Sequence, residues 1–297
     1  MFQPVTASLA ALLLASAVAF AQQPATELPK TEPPKTEAPK TETPAAEPPK
    51  SEESKKPEYQ PEVGQAGKDV IWVPTPQSTV DRMLDMASAG PEDFVIDLGS
   101  GDGRTVITAA RRGIRALGIE YNPDMVELSR RNAAKEGVTE RAQFVQGDIF
   151  KTDFSKATVL MMYLLPRLNM ALRPTILKMK PGTRVVSHSF HMEDWEPDDG
   201  FNSANEKCKE YCLAYFWVVP ASVKGTWRTP QGTLRLSQKF QKFTGTLRTR
   251  GRTHKITDGR VRGEEIAFTA GGVKYTGTVK GRRMSVAPAK VAEKAKR

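Results

Sequence analysis

Three carboxylates in this sequence each lie at the end of a short apolar run. Asp97 lies in "FVIDL", Glu120 ends "RALGIE", and Asp148 follows "AQFVQG". Directly after the first run, glycines occupy alternate positions: Gly99, Gly101 and Gly103. Glycine lets the backbone adopt a positive φ and lets a ligand approach without a Cβ in the way. Acids grouped around such a turn predict a binding site for a cationic ligand that carries hydroxyl groups.

The glycine spacing separates two ligand classes. Dinucleotide folds use G-x-G-x-x-G, and their diphosphate would be repelled by Asp97 and Asp102. S-adenosylmethionine carries a sulfonium group, an ammonium group and a ribose, so it suits these acids. We expect Glu120 to accept the ribose hydroxyls, as the second-strand acid does in dinucleotide folds. We expect Asp148 to accept from the adenine amino group.

Alternating strands and helices would position these residues. The strands "FVIDL", "RALGIEY", "AQFVQGD", "ATVLMMYLL" and "TRVVSHSF" alternate with apolar patterns at helical spacing, and Asn122-Pro123-Asp124 opens one helix. Apolar strands separated by helices predict a parallel sheet covered on both faces. The predicted fold is therefore α/β, a Rossmann-like doubly wound sheet with its ligand at the carboxyl ends of the strands.

The motifs resemble those of class I, seven-strand S-adenosylmethionine-dependent methyltransferases. "DLGSGDGR" is similar to their first motif, "GIEYN" to their second and "QGDIF" to the adenine-side motif. "VPTP", "YLLPRLNMALRP" and "GTRVVSHSF" resemble the branch with the mitochondrial lysine methyltransferases of the ATP synthase c-ring protein and the adenine nucleotide translocase. The resemblance spans residues 72–220, about half of the chain.

This resemblance implies S-adenosyl-L-methionine as methyl donor and protein-lysine N-methylation as the leading function. It also implies which residues bind the donor. The methionyl and ribose side would be contacted by Asp97, Gly99, Gly101 and Gly103. The ribose would be bound by Glu120, beside Asn122 of the second motif, and the adenine by Asp148 and Ile149.

Methyl transfer is an in-line displacement, so positioning and desolvation suffice and no covalent nucleophile is required. A lysine acceptor must first lose its proton, which burial favours by lowering the amine pKa. Tyr163, beyond the fourth strand, and His188, beyond the fifth, are candidates to orient the amine or take the proton. Alternatively, Tyr163 is a core aromatic residue with its hydroxyl at the rim. His188 is alternatively a strand-end histidine that is simply hydrogen-bonded there.

The sequence predicts no metal site. His188 and His191 are three residues apart, so on a strand they point to opposite faces. Cys208 and Cys212 are the only cysteines. On a strand they would lie roughly 13 Å apart, too far for a disulfide, whereas on a helical turn they could meet. Two free thiols are the leading expectation, and a single bridge is the alternative.

DNA adenine methylation is not expected. By resemblance, adenine amino methyltransferases carry an Asn/Asp-Pro-Pro-aromatic motif after the fourth strand. Residues 163–166 read "YLLP" at that place. A nucleic-acid base is therefore not the predicted acceptor.

The N-terminal segment predicts export. Residues 1–21 contain an apolar run that ends in Ala19-Phe20-Ala21, which is typical of a signal peptide cleaved after Ala21. Residues 22–66 repeat Pro-Lys-Thr-Glu and cannot bury a core, so they predict a disordered linker. A periplasmic or envelope-tethered location conflicts with the cytoplasmic synthesis of S-adenosylmethionine.

The pattern changes after the methyltransferase-like domain, predicted at residues 67–220. Residues 221–287 alternate apolar and polar positions, with Leu234, Leu236 and Phe240 on one face and Val273, Tyr275 and Val279 repeating the pattern. They predict a small antiparallel β-barrel or sandwich, followed by a basic tail at 288–297.

Charge is concentrated in this last part of the chain. Residues 221–297 hold 19 Lys and Arg against 4 Asp and Glu, a net +15, whereas the whole chain is +10. This excess predicts an anionic polymer or acidic protein as partner, and a solvated strand face is the alternative. Two other functions stay open: a non-catalytic protein that binds the S-adenosyl ligand, and a small-molecule methyltransferase.

Overall fold

The computed structural model describes residues 58–202 and 212–289. The predicted signal peptide, most of the predicted linker and most of the basic tail lie outside these residues. Within the described ranges, the chain forms two seven-stranded sheets and four helices that accompany the first sheet. No helix in these ranges has the length and apolar character needed to cross a membrane.

The first sheet is mostly parallel. Its strands are β1 (Phe94–Leu98), β2 (Arg115–Glu120), β3 (Ala142–Gln146), β4 (Val159–Met162), β5 (Arg184–His188), β6 (Asp199–Asn202) and β7 (Leu213–Val218). Their spatial order is β3-β2-β1-β4-β5-β7-β6, and only β7 runs antiparallel to its neighbours. The chain reverses direction between β1 and its two parallel neighbours β2 and β4, which creates a crevice at the carboxyl ends of the strands. The predicted Rossmann-like fold is confirmed.

The four helices begin where the local sequence predicts. They are α1 (Gln77–Met86), α2 (Arg104–Arg111), α3 (Pro123–Lys135) and α4 (Pro166–Ile176). Pro76 precedes α1, and Asn122 caps α3 by accepting a 2.9 Å hydrogen bond from the backbone N–H of Asp124. Such a cap satisfies a donor that the first helical turn leaves unpaired.

Two apolar clusters cover the two faces of this sheet. Alternate strand residues point to opposite sides, so Met161 joins one cluster and Leu160 and Met162 join the other. All three side chains are at most 1% exposed. Burying a side chain of this size contributes about 2 kcal/mol, which explains why β4 is apolar at every position.

The second sheet is a meander in which each strand pairs with the next one along the chain. Its strands are β8 (Gly225–Thr229), β9 (Gly232–Lys239), β10 (Lys242–Thr249), β11 (Arg252–Arg262), β12 (Glu265–Ala270), β13 (Val273–Lys280) and β14 (Arg283–Pro288). The first and last strands also contact each other, so the sheet is a nearly closed barrel. This resolves the sequence prediction in favour of a barrel over a sandwich.

Two residues expected in the barrel interior lie elsewhere. Phe240 follows the end of β9 at a φ of 52° and stacks on Trp195, with ring centroids 5.9 Å apart. Val273 is 42% exposed at the start of β13, where the turn before it leaves one side open. Leu234, Leu236 and Val279 do point inward, as predicted.

The barrel is attached at the amino ends of the parallel strands. In the antiparallel pair of β5 and β7, Ala214 lies opposite His188 and Val218 lies opposite Arg184. The chain therefore leaves the sheet beside the first residue of β5, and the backbone N–H of Ala221 then donates to the carbonyl of Gly263 in the barrel at 2.7 Å. The crevice at the carboxyl ends lies at the other end of these strands.

Cys212 is disulfide-bonded, which corrects the expectation of two free thiols. The strand separation that argued against a bridge does not apply, because β7 begins only at Leu213. Cys208, the other cysteine of the chain, lies outside the described residues.

Candidate functional site

A pocket opens at the carboxyl ends of β1, β2, β3 and β4. One wall is the segment 65–75 that precedes α1, and the opposite wall is the end of β4 with the turn into α4. Seven of the ten residues predicted for the site line this pocket: Asp97, Gly99, Glu120, Asn122, Asp148, Ile149 and Tyr163. Three others, Gly101, Gly103 and His188, lie behind the lining.

Asp97 contributes a buried carboxyl group near the bottom of the pocket. It is 7% exposed, and this burial is the main reason why its pKa is raised to about 8. The negative charges of Glu120 and Asp102 raise the pKa further, whereas a hydrogen bond with Thr105 opposes the shift. The empty pocket thus favours a protonated Asp97, and a cationic ligand would favour the carboxylate.

Glu120 connects two backbone segments at the end of β2. Its Oε2 accepts a 2.9 Å hydrogen bond from the backbone N–H of Gly101, and its Oε1 accepts a 3.0 Å bond from that of Asn122. A carboxylate has about four lone-pair sites, so each oxygen can accept one further hydroxyl donor. Glu120 therefore fixes the glycine turn and keeps the capacity to bind the ribose hydroxyls predicted for it.

Asp148 lies on the other side of the pocket, two residues after β3. Its Oδ1 accepts from the backbone N–H of Phe150 at 2.9 Å, and its Oδ2 accepts from the ammonium group of Lys68 at 2.9 Å. The Lys68 hydrogen bond is the main cause of the lowered pKa of Asp148. The same ammonium group lies 4.9 Å above the ring of Tyr121, a cation–π distance.

The glycines of the turn are required for different reasons. A Cβ on Gly101, which has a φ of 55°, would lie 2.6 Å from Nε1 of Trp72 in the pocket wall. A Cβ on Gly103 would lie within 2.9 Å of both Phe144 and Ser129, so this glycine serves the packing of α3 and β3. Gly99 alone of the three lines the pocket.

Tyr163 and His188 are adjacent, as the strand order requires. Their ring centroids are 4.0 Å apart, and His188 is fully buried, with its Nδ1 hydrogen-bonded to Oγ1 of Thr75 at 3.0 Å. Tyr163 faces the pocket, and its ring stacks with that of Phe190 at 6.1 Å. Tyr163 can therefore contact a bound substrate, whereas His188 lies one layer behind it.

Sequence reasoning missed the wall formed by residues 65–75. "VPTP" carries a family resemblance, but Lys68, Trp72 and Thr75 have no periodicity or charge pattern that points to a site. Arg104 was also missed. It binds Asp102 through two nitrogens at 2.5–3.1 Å and the carbonyl of Thr75 at 2.8 Å, so it joins this wall to the glycine turn.

The residues of the pocket fit a cationic nucleoside. Asp97, Asp102 and Glu120 are close enough to affect one another, which favours a positively charged ligand. The hydroxyl of Ser100 is buried, lines the pocket and has no hydrogen-bond partner in the protein. A ligand with polar groups would satisfy it. Among the described residues, no cluster of His, Cys, Asp and Glu could hold a metal ion.

Comparison with known proteins matches residues 97–199 to the ANTKMT methyltransferase domain. A protein-lysine N-methyltransferase of Saccharolobus islandicus (strain REY15A) is 46% identical over 133 residues, which cover 44% of this chain and 83% of that protein. The lysine N-methyltransferase of Xenopus laevis that is named for the ATP synthase c-ring protein is 32% identical over 149 residues, 50% of this chain and 66% of that protein.

Among solved structures, an RNA methyltransferase from Salinibacter ruber in complex with S-adenosyl-L-homocysteine is 44% identical. The match covers 51% of this chain and 96% of that one, with a TM-score of 0.48. Each of these three similarities therefore accounts for about half of the chain.

Proposed function

Since the chain belongs to the class I S-adenosylmethionine-dependent methyltransferases, in the branch that includes protein-lysine N-methyltransferases, we propose that it methylates a lysine side chain of a protein. The observation that carries this proposal is the 46% identity to the Saccharolobus enzyme across 83% of that protein. The acidic pocket at the carboxyl ends of the strands supports it, because its charges and hydroxyl-binding groups suit the methyl donor.

S-adenosylmethionine supplies an electrophilic methyl group bound to a positively charged sulfur. Glu120 would bind the ribose hydroxyls while it holds the backbone of Gly101 and Asn122 in place. Asp97 would supply a negative charge for the cationic groups of the donor, and Asp148 with Ile149 would bind the adenine. The chain thus contributes position and charge, which are the main requirements of an in-line displacement.

The acceptor amine would enter between the two walls of the pocket. Tyr163 and Phe190 lie on one wall and Trp72 lies on the other. These rings would cover the aliphatic part of a lysine and exclude water from its amine. Desolvation lowers the pKa of an ammonium group and so favours the neutral amine that reacts. The Tyr163 hydroxyl would orient this amine, and His188 with Thr75 would hold the Tyr163 ring.

Methyl-labelled donor and a proteome as acceptor would test this proposal. We expect label in protein, and hydrolysis of the labelled protein should release methyllysine. Glu120→Ala should reduce labelling roughly 100-fold, because two hydrogen bonds to a charged group are lost. Glu127→Ala is the matched control, since that acid is exposed on α3 and pairs only with Arg130.

The fraction that holds the label separates the rival functions. Label in RNA or in the low-mass fraction would show a methyltransferase that does not act on protein lysine. Donor binding without label in any fraction would show a protein that binds the ligand and does not catalyse transfer.

We also propose that the chain works in an oxidising compartment, as its N-terminal sequence predicts. The disulfide at Cys212 supports this location, because reducing compartments keep thiols free. The experiment is alkylation of the chain as isolated from cell fractions, followed by mass measurement. We expect two alkylated thiols only after reduction, and two without reduction would contradict the proposal.

For the barrel we propose an anionic partner. It carries most of the excess positive charge of the chain, and part of that charge has no acidic neighbour. A salt-dependent affinity for a polyanion is the expected property.

A further inference from the structure

One outer face of the barrel, on β8 to β11, carries a checkerboard of basic and hydroxyl side chains. In one row across the four strands, Thr226, Arg235, Thr246 and Lys255 are consecutive partners. In the next row the partners are Arg228, Thr233, Arg248 and Thr253. Cations two strands apart in one row are separated by about 10 Å, and the two rows are offset by one strand. We call the four cations of these rows the distal basic face.

The basic residues of the barrel fall into two groups according to their position along the strands. Those nearest the methyltransferase sheet are neutralised by its acids: Lys239 by Asp194 at 3.1 Å, Lys242 by Glu196 at 2.5 Å and Arg260 by Asp198 at 2.6 Å. These pairs dock the barrel on the sheet.

The distal basic face has no such partners. Within the described ranges, Arg228, Arg235, Arg248 and Lys255 form no ion pair, and all four are exposed. Two further arginines, Arg250 and Arg252, lie at the adjoining β10–β11 turn. Uncompensated like charges on neighbouring strands repel one another and are destabilising. A ligand that supplies negative charge at this spacing would remove that repulsion.

The chemistry of this face excludes two modes of binding. The alternate side chains Leu234, Leu247 and Ile256 point into the barrel, so the face has no apolar group to insert into a membrane. Trp227 is half-buried and donates its Nε1–H to the carbonyl of Val223 at 2.7 Å. No described aromatic ring on these rows is therefore available to stack on a nucleobase. Arginine forks and threonine hydroxyls remain, and both donate to phosphate oxygens.

We propose that the distal basic face docks a linear phosphodiester polymer, which it recognises by backbone charge alone. This inference rests on the anionic partner proposed for the barrel and specifies its chemistry and its site. A flexible chain of repeating phosphates can place successive charges on Arg228, Arg235, Arg248 and Lys255, and the threonines between them supply neutral donors.

The attachment of the barrel determines how docking relates to catalysis. The barrel joins the amino ends of the parallel strands, whereas the donor pocket lies at their carboxyl ends, about 15 Å away along strands of five residues. The distal basic face lies farther still, beyond the docked end of the barrel. A bound polymer therefore leaves the pocket open, so that polymer and donor bind independently.

Titration of the full chain with a fluorescent 20-nucleotide oligothymidylate would test the proposal. We expect binding that weakens with salt, and the double variant R235Q/R248Q should bind at least tenfold more weakly. Its log–log salt slope should fall by about 1.4, because two phosphate contacts to a single strand are lost. R282Q/R283Q is the matched control: it removes two exposed arginines from the β13–β14 turn of the same barrel and should bind like the parent.

Competitors and melting curves make each outcome decisive. Both double variants should melt at the temperature of the parent, since all four side chains are exposed. Equal weakening by both would show that only net charge matters, and would overturn the assignment of this face. Equal binding of polyglutamate of the same charge, or tighter binding of phosphatidylglycerol vesicles, would overturn the phosphodiester chemistry while an anionic partner still stands.

Two further results concern the wider claims. If the chain binds no polyanion at low salt, the anionic partner itself is wrong, whatever the result of the methyl-transfer assay. If saturating polymer changes the Kd for S-adenosylhomocysteine, the independence of the two sites is wrong.

Discussion

The ammonium group of Lys68 lies 2.9 Å from the carboxylate of Asp148, and 80 residues separate them in the chain. This contact fastens the segment 65–75 to the adenine side of the pocket, and the Tyr121 ring beneath the ammonium group adds a second attachment. The wall that covers the donor site is thus held at its outer end by one partly exposed ion pair. Such pairs contribute at most about 1 kcal/mol, so the wall can open without great cost.

Lys68→Met should therefore accelerate release of the donor product. We expect the dissociation rate of S-adenosylhomocysteine to rise up to about fivefold, the equivalent of about 1 kcal/mol. Stopped-flow fluorescence of Trp72 and the other tryptophans would measure it. Lys151→Met is the matched control, because Lys151 also approaches Asp148, at 4.0 Å, but lies outside this wall. Equal rates in both variants would show that the ion pair does not hold the wall.

Donor affinity should increase with pH up to about 8. The pKa of Asp97 is raised to about 8 in the empty pocket, mainly by burial, whereas a cationic donor requires its ionised form. Binding then releases a proton, and the affinity should rise by close to tenfold per pH unit between pH 6 and 8. Calorimetry in buffers of different ionisation enthalpy would count this proton. An affinity that is equal at pH 6 and pH 8 would contradict the prediction.

The same group affects stability in the opposite direction. An acid whose folded pKa exceeds its unfolded value stabilises the protein most when it is protonated in both states. The free energy of unfolding of the empty protein should therefore decrease as pH rises from about 4 to about 8. Asp97→Asn should flatten this decrease and also remove the pH dependence of donor binding, whereas the exposed Asp124→Asn should leave both unchanged.

Alanine at Gly101 should cost more than alanine at Gly113. Both glycines have positive φ, 55° and 81°, so each substitution introduces backbone strain of about 1–2 kcal/mol. A Cβ on Gly113 meets nothing within 4 Å, whereas one on Gly101 would lie 2.6 Å from the Trp72 ring. We expect Gly101→Ala alone to displace that ring and weaken donor binding at least tenfold. Thermal melts and donor titrations that are alike for both variants would contradict this contact.

Tyr163→Phe should separate catalysis from binding. If the hydroxyl orients the acceptor amine, the rate of methyl transfer should fall about 10- to 100-fold while the Kd for the donor changes less than about twofold. Retained activity would show that the ring serves packing only, which is the alternative interpretation of the sequence. Tyr275→Phe, in the barrel, is the control for loss of a tyrosine hydroxyl.

Much of this fold follows from local patterns. The apolar runs gave β1 to β5 their places, and the Asn122-Pro123-Asp124 cap opened α3 as predicted. The three acids came together because parallel strands place their carboxyl ends on one edge. Asp97 and Glu120 are the second-to-last and last residues of their strands, which made their location readable from the sequence.

Contacts between distant segments could not be derived in this way. Nothing near Lys68 indicates that Asp148 is its partner, and nothing near Phe240 indicates that Trp195 is. Both depend on how finished elements pack. The disulfide of Cys212 was missed because a strand was assumed where the strand had not yet begun.

The meander of the second sheet has a consequence for folding order. Each barrel strand pairs with its sequence neighbour, so its loops close at little entropic cost, whereas in the first sheet Phe94 must find Thr158 across 64 residues. Topologies rich in local pairings fold faster than those that need distant ones. On refolding, the part of the chain synthesised last should therefore become native first, and the catalytic crevice should mature beside an already formed barrel.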